Sequence, residues 1–510
     1  MKACTVIVGL ALCGAAVFGE ASLSEPAMPA AKGAAAVPAR RGLVKTTRAA
    51  SPGYVLFSPL LSNVTYLIDN QGRAVHTWKA ITSPGGDQIL LADGSLLRLG
   101  RDLDFMHFRT GGVGGWIERL GWDGEEAWAW NFASERAVLH HDIEPLPNGN
   151  VLALAWEAKT PEQARLAGRR ADRIPQQGLW PDWVLEVKPV PPRGGEIVWE
   201  WHVWDHLVQN QDATGDSFAA PSENPGLLDL NADAPKPIVT GEELAQLKAL
   251  GYVPDAAKPE DQGSDFLHVN AIDYHAGLDQ IALSVPNLGE LWIIDHGTTR
   301  AEAATRRGGK RGRGGEILYR WGNPSAYGRG GEADRVFSGQ HDAHWIPEGR
   351  PGAGHLLVFN NGAGGRSGKW SSVDEIVPPL LASGLYALAD REPFAPRAPV
   401  WRYLAAPREA FFAEFISGAQ RTQTGNTLIC AGPRGQIFEV TPSGAVAWEY
   451  WNPYLGSVRL SDGSTPQPVG DDEHYAVFRA KRISPDDPAL RGRKLVPLDP
   501  QPPFVSKPAE

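Results

Sequence analysis

Six histidines carry the first chemical signal. His140, His141, His268, His341 and His344 stand where a repeated phrase of the chain opens, and His206 follows the end of one. Imidazole can be a neutral nucleophile, a base or a metal ligand near pH 7. His141-Asp142 and His341-Asp342 are the same dipeptide in two separate repeats. Singly, each His or Asp has a plain alternative, a hydrogen bond to loop backbone where a strand begins. As a set they point to one polar site. Several neutral imidazoles would also suit Zn, Cu or Ni. The chain contains no HExxH and no paired Cys motif, so no metal and no other cofactor is expected.

A second signal is cationic. Asn360-Asn361-Gly362-Ala-Gly-Gly-Arg366 sets a guanidinium behind a Gly-rich turn. That planar fork matches two oxygens of a sulfate, phosphate or carboxylate. The stretch is not a P-loop, because Trp370 follows Lys369 where Ser or Thr would bind the metal. A surface turn is the plain alternative for Arg366. Arg421, four residues after Ser417, offers one more positive charge.

The elements that must position these groups are repetitive. An apolar stretch around a Gly turn, then a second apolar pair ending in Trp, recurs along the chain. Examples are Gln88-ILLADGSLLRL-Gly100, His141-DIEPLPNGNVLALAW-Glu157 and His268-VNAIDYHAGLDQIALSV-Pro286. Asp93-Gly94 and Asn148-Gly149 are tight-turn chemistry between short alternating strands. A four-stranded antiparallel unit cannot bury both faces alone, so copies stack radially, with Trp filling the wedges. Six copies predict an all-β, six-bladed β-propeller spanning residues 51–485. A β-sandwich fits less well, since the repeat is too long and too regular. In a propeller the first strand of each blade lines the centre, which would bring the imidazoles to one mouth.

Two segments break the rhythm. Residues 205–264 are polar and Pro/Asn/Asp-rich, with one helix signal: Thr240, then Glu243, then Leu244 to Leu250, stopped at Gly251. This partly helical insertion is expected to cap one propeller face. The basic run Arg306 to Gly315 reads as a solvated hairpin loop.

Composition sets the outer limits. The 510 residues carry 49 Lys+Arg and 59 Asp+Glu, a net charge of −10 that argues against a nucleic-acid partner. Hydrophobic residues at 42% and charged ones at 21% exclude a mostly disordered chain. Trp, at 18, outnumbers Phe and Tyr. Residues 1–21 read as a signal peptide: a Lys near the start, an apolar run from Val6 to Phe18 and a small-residue exit. The protein is therefore expected to be exported, periplasmic or extracellular, with no transmembrane helix after the leader. Lipid anchoring at Cys13 is not expected, because bulky Leu12 precedes it. Residues 22–50 read as an Ala/Pro-rich linker and 486–510 as a C-terminal tail. Only Cys430 remains after the leader, so no internal disulfide can form.

With these residues in view, a resemblance appears. Tyr54-VLFSPLLSNVTYLIDNQGRAVHTWK-Ala80, Phe266-LHVNAID-Tyr274, Gly339-QHDAHW-Ile346 and Phe359-NNGAGGR-Ser367 resemble the bacterial arylsulfotransferase family. The likeness runs from about Gly53 to Ile483. It implies a six-bladed propeller that moves a sulfuryl group from an aryl sulfate to a phenol without a nucleotide donor. By that resemblance His268 and His341 match sulfate-binding histidines and Arg366 an active-site arginine. His141, Asn270, His344, Asn361 and Arg421 are expected around the substrate. The family's nucleophilic His lies on the last blade, where this chain reads Ala431-Gly-Pro-Arg-Gly435, with only His474 downstream. His141, His344 or His474 would have to replace it. Otherwise the propeller binds a sulfated or acidic ligand without turnover, or with a metal.

Overall fold

The computed structural model describes residues 41–102, 107–232, 241–250, 252–259, 262–362, 368–455 and 475–503. The signal-peptide region with Cys13, most of the expected linker, Arg366 and His474 lie outside them.

Short antiparallel strands joined by tight turns build nearly everything. Gly149, at φ +86°, closes one of these turns in a conformation that a side chain would strain. Six lead strands matter most: β1 (Pro84–Leu90), β2 (Ala137–Pro145), β3 (Ala271–His275), β4 (His341–Trp345), β5 (Gly418–Arg421) and β6 (Val477–Ile483). Each lead strand begins a group of strands paired in sequence order, except β6, which joins the chain's early strands at Tyr54–Pro59, Val64–Asp69 and Ala74–Lys79. The lead strands contact one another from β1 to β6 in turn, and β6 contacts β1 again. The result is an all-β, propeller-like arrangement.

The sheets do not divide as expected. Four stand apart as four- or five-stranded units, not six, because residues 84–131 and 137–202 form one eight-stranded sheet. A single parallel pairing of Gly86 with His141 joins its two halves. Part of the expected linker is also a strand: Gly42–Thr46 pairs with Val446–Trp451 at the outer edge of the five-stranded sheet. The expected C-terminal tail contributes buried Ala489 and Leu490 to the core.

Trp fills the wedges between neighbouring groups and also ties them. The indole N–H of Trp78 donates to Gly121, Trp128 to Gly194, Trp201 to Gly315, Trp321 to Pro396, Trp401 to Pro442 and Trp448 to Asn70, each time at a backbone oxygen of the following group. Each such bond contributes about 1 kcal/mol beyond the burial of the ring.

The lead strands are stitched by side chains at their centre. Asp142 accepts from Ile272 N, Asp273 from Trp345 N, Asp342 from Ala419 N and Gln420 from Arg482 N, at 2.6–2.9 Å. The Asp of each His-Asp dipeptide therefore has a structural task, which leaves the His to be aimed elsewhere.

Among the described residues three short helices occur: α1 (Pro161–Leu166), α2 (Gly241–Ala249) and α3 (Arg300–Ala303). The α2 signal was legible in the sequence. Leu250 and Tyr252, just after α2, pack with Phe108, Trp156, Trp180, Ile416 and Phe478. Arg101 donates to Leu250 O at 2.9 Å and lies over the Tyr252 ring at 4.2 Å. The basic run 306–315 is a largely exposed loop between the paired strands Glu290–Asp295 and Ile317–Trp321, and ion pairs tie it down. Arg306 and Arg313 pair with Glu316, Lys310 with Asp279 and Arg311 with Asp295. No helix of the described residues is long and apolar enough to cross a membrane.

Candidate active site

The two His-Asp dipeptides sit on irregular strand positions. In β2 the pairing with Val151–Glu157 shifts register between His140 and Ile143, and in β4 between His341 and His344. A bulge of this kind bends the strand and re-aims a side chain. His141 (φ +52°), Asp342 (φ +56°) and His268 (φ +59°) all adopt left-handed backbone. Each costs about 1–3 kcal/mol, which the surrounding ties must offset.

These distortions bring imidazoles from three separate segments together. The His141 and His268 rings lie edge to face with centroids 4.4 Å apart. His140 Nδ1 is 2.9 Å from His141 Nδ1, so one of these nitrogens carries the hydrogen and the other accepts it. His140 stacks on Trp156 at 4.0 Å, and its Nε2 is 3.3 Å from Asp182 Oδ1. The His268 Nδ1 makes a very short contact with the Asp265 carboxylate. His341 Nδ1 faces two acceptors, Gly339 O at 2.9 Å and Asn361 Oδ1 at 2.8 Å. The Asn361 amide is oriented by donating to Ala413 O and Ile416 O. His341 therefore carries its hydrogen on Nδ1 and leaves Nε2 bare when neutral.

Burial keeps three of these rings, His140, His141 and His341, neutral. It pushes His140 and His341 down to about 3. His141 falls well below its ordinary value through burial first, then the neighbouring His268, His140 and His341. Its Nε2 edge packs on Gly112, where an added Cβ would come within 1.9 Å. Only glycine fits that position, at φ +80°.

One guanidinium at this centre escaped the sequence reading. Arg479, on β6, donates to Asp142 Oδ2 at 2.7 Å and to Asn270 O at 2.8 Å, with Asp342 at 3.3 Å and Asp87 at 3.4 Å. Burial opposes its charge, but Asp142, Asp342 and Asp87 outweigh it and raise its pKa above the ordinary value. The available signal was the alternation Arg479-Ala480-Lys481, which places two cations on one strand face.

The other expected residues divide. Asn270 is fully buried and donates to Gln340 O, so it braces β3 and β4. His344 sits with Asp342 and Asp273; burial lowers its pKa, but those carboxylates outweigh it and the net shift is upward. Arg421 is not brought to the imidazoles: it pairs with Glu375 at 2.6 Å and lies over Trp401. His206 also stays apart, stacked on Trp201 and bonded to Ala303 O. Cys430 is buried in an apolar cluster, and burial raises its thiol pKa. No group of three or more His, Cys, Asp or Glu among the described residues is arranged to hold a metal ion.

A family model described as Arylsulfotransferase (ASST) matches residues 124–445. No curated protein matches the chain. Among solved structures, a protein of unknown function from Bacteroides caccae shares 11% identity, with 84% of this chain and 98% of that one covered and a TM-score of 0.41. A periplasmic gluconolactonase from Pseudomonas aeruginosa shares 12%, covering 85% and 99%, with a TM-score of 0.37. At these scores neither likeness carries a functional argument.

Proposed function

We propose that this chain, which belongs to the arylsulfotransferase (ASST) family, transfers a sulfuryl group from an aryl sulfate ester to a phenol without a nucleotide donor. One observation carries the reading: His141, His268 and His341 converge beside the buried Arg479 guanidinium. A transferring sulfuryl group spreads negative charge over three oxygens, so positioned cations and donors do much of the work, as in phosphoryl transfer. Arg366 is the cation that the family resemblance assigns to those oxygens. Arg479 is committed to its aspartates and supplies field in place of direct contact. The apolar cluster of Phe108, Trp156, Trp180 and Phe478 borders His141 and His268 and supports an aryl group as the donor's leaving part.

The same reading takes the eight-stranded sheet as two blades, giving six around the ring. The closed order of lead strands and the run of indole ties support this count. Residues 205–264 then act as a cap, and the protein works after export. The test is nitrophenol release from p-nitrophenyl sulfate with phenol as acceptor. Turnover that is lost in His341→Ala supports the proposal. Binding of the ester with no turnover by the wild type overturns it in favour of a ligand-binding propeller.

A further inference from the structure

We propose that His268, held by Asp265, is the nucleophile that takes the sulfuryl group, in place of the last-blade histidine this chain lacks. The inference rests on the sulfuryl-transfer reading above. It follows from what each described imidazole at this centre has left to offer. His140 is fully buried and stacked on Trp156, with Nδ1 engaged by His141. His141 spends Nδ1 on His140, and its Nε2 edge is covered by Gly112. His344 lies among Asp342, Asp273 and Lys481, where the carboxylates favour its protonated form. His341 has a bare Nε2, but its Nδ1 meets only the neutral Gly339 and Asn361 oxygens.

Attack on sulfur turns a neutral imidazole into a sulfo-imidazolium, so the decisive feature is an anion behind Nδ1. His344 has Asp342 at 3.6 Å from Nδ1, but its carboxylates hold it toward the protonated form, which has no lone pair to offer. His268 also has one, with Asp265 against Nδ1. That contact fixes the hydrogen on Nδ1, leaves the Nε2 lone pair for sulfur and stabilises the cation that forms, as the carboxylate does in hydrolase triads. The side chain is also 24% exposed, whereas His140 is 0%. Asp265 is in turn presented by a segment tied down through Trp180 N to Ser264 O and Asn287 Nδ2 to Asp265 O. In the first step Nε2 forms the N–S bond while the S–O(aryl) bond breaks and its electron pair leaves on the phenolate. In the second, the acceptor phenol loses its proton to a solvent base. Its oxygen then attacks sulfur, and the N–S pair returns to Nε2. Asp265 acts as a positioning residue throughout.

The experiment incubates the full chain with p-nitrophenyl sulfate alone, then maps the added SO3 mass by peptide analysis kept out of acid. The label is expected on the peptide containing His268. His268→Gly, which suits the left-handed backbone, is expected to lose turnover and regain part of it with added imidazole. Asp265→Asn is expected to lower kcat by roughly 10²–10⁴-fold with KM little changed. Label on another histidine, or wild-type turnover in His268→Gly, overturns the inference and leaves the sulfotransferase reading standing. A wild type that releases no nitrophenol overturns both.

Discussion

Nη1 of Arg479 lies 2.7 Å from Oδ2 of Asp142, across 337 residues of sequence. The last strand thus closes the ring through charge at its centre as well as through its backbone pairing with Tyr54–Pro59. Asp142 also receives Ile272 N, so one carboxylate joins three lead strands.

Arg479→Met is expected to destabilise the protein by roughly 3–5 kcal/mol, because it leaves Asp142, Asp342 and Asp87 buried without their shared cation. Urea unfolding measures this. A second change, Asp142→Asn, should recover part of the loss; a fully additive double mutant would refute the shared-charge account.

Low pH should selectively weaken the wild type. His341 is held neutral down to about 3 in the folded protein but titrates near 6.5 when unfolded. Between those values the unfolded chain binds the extra proton, so stability is present above about 6.5 and falls as pH drops, by up to about 1.4 kcal/mol per pH unit for this group. His341→Gln should lose stability less steeply over that window. Parallel stability profiles would contradict it.

Asn361→Asp should raise the His341 pKa from its depressed value, since a carboxylate would then stand 2.8 Å from Nδ1. An NMR titration of the His341 ring reads the shift directly. An unmoved ring would mean that Asn361 does not anchor it.

Gly112→Ala should cost at least about 1–2 kcal/mol from its positive φ alone. It should also displace His141, whose Nε2 would be 1.9 Å from the new Cβ. Thermal unfolding checks the first effect. The second should appear as a larger loss of nitrophenol release than of stability.

Much of this was legible in the residues themselves. Turn glycines, two-residue alternation and recurring Trp dictate short strands in repeated groups, because those preferences are local and periodic. The His-Asp dipeptides and the Phe266–Tyr274 motif flagged His141, His268 and His341 for the same reason. What the sequence could not assign was how each charge is spent. Arg421 was expected at the site and Arg479 was not, yet Arg421 pairs with Glu375 and Arg479 binds three central aspartates. The Asp265 contact of His268 accompanies left-handed backbone at His268 itself, which its residue type does not announce. Pairings of that kind are fixed by which strands meet at the centre, and only the closed tertiary arrangement determines that.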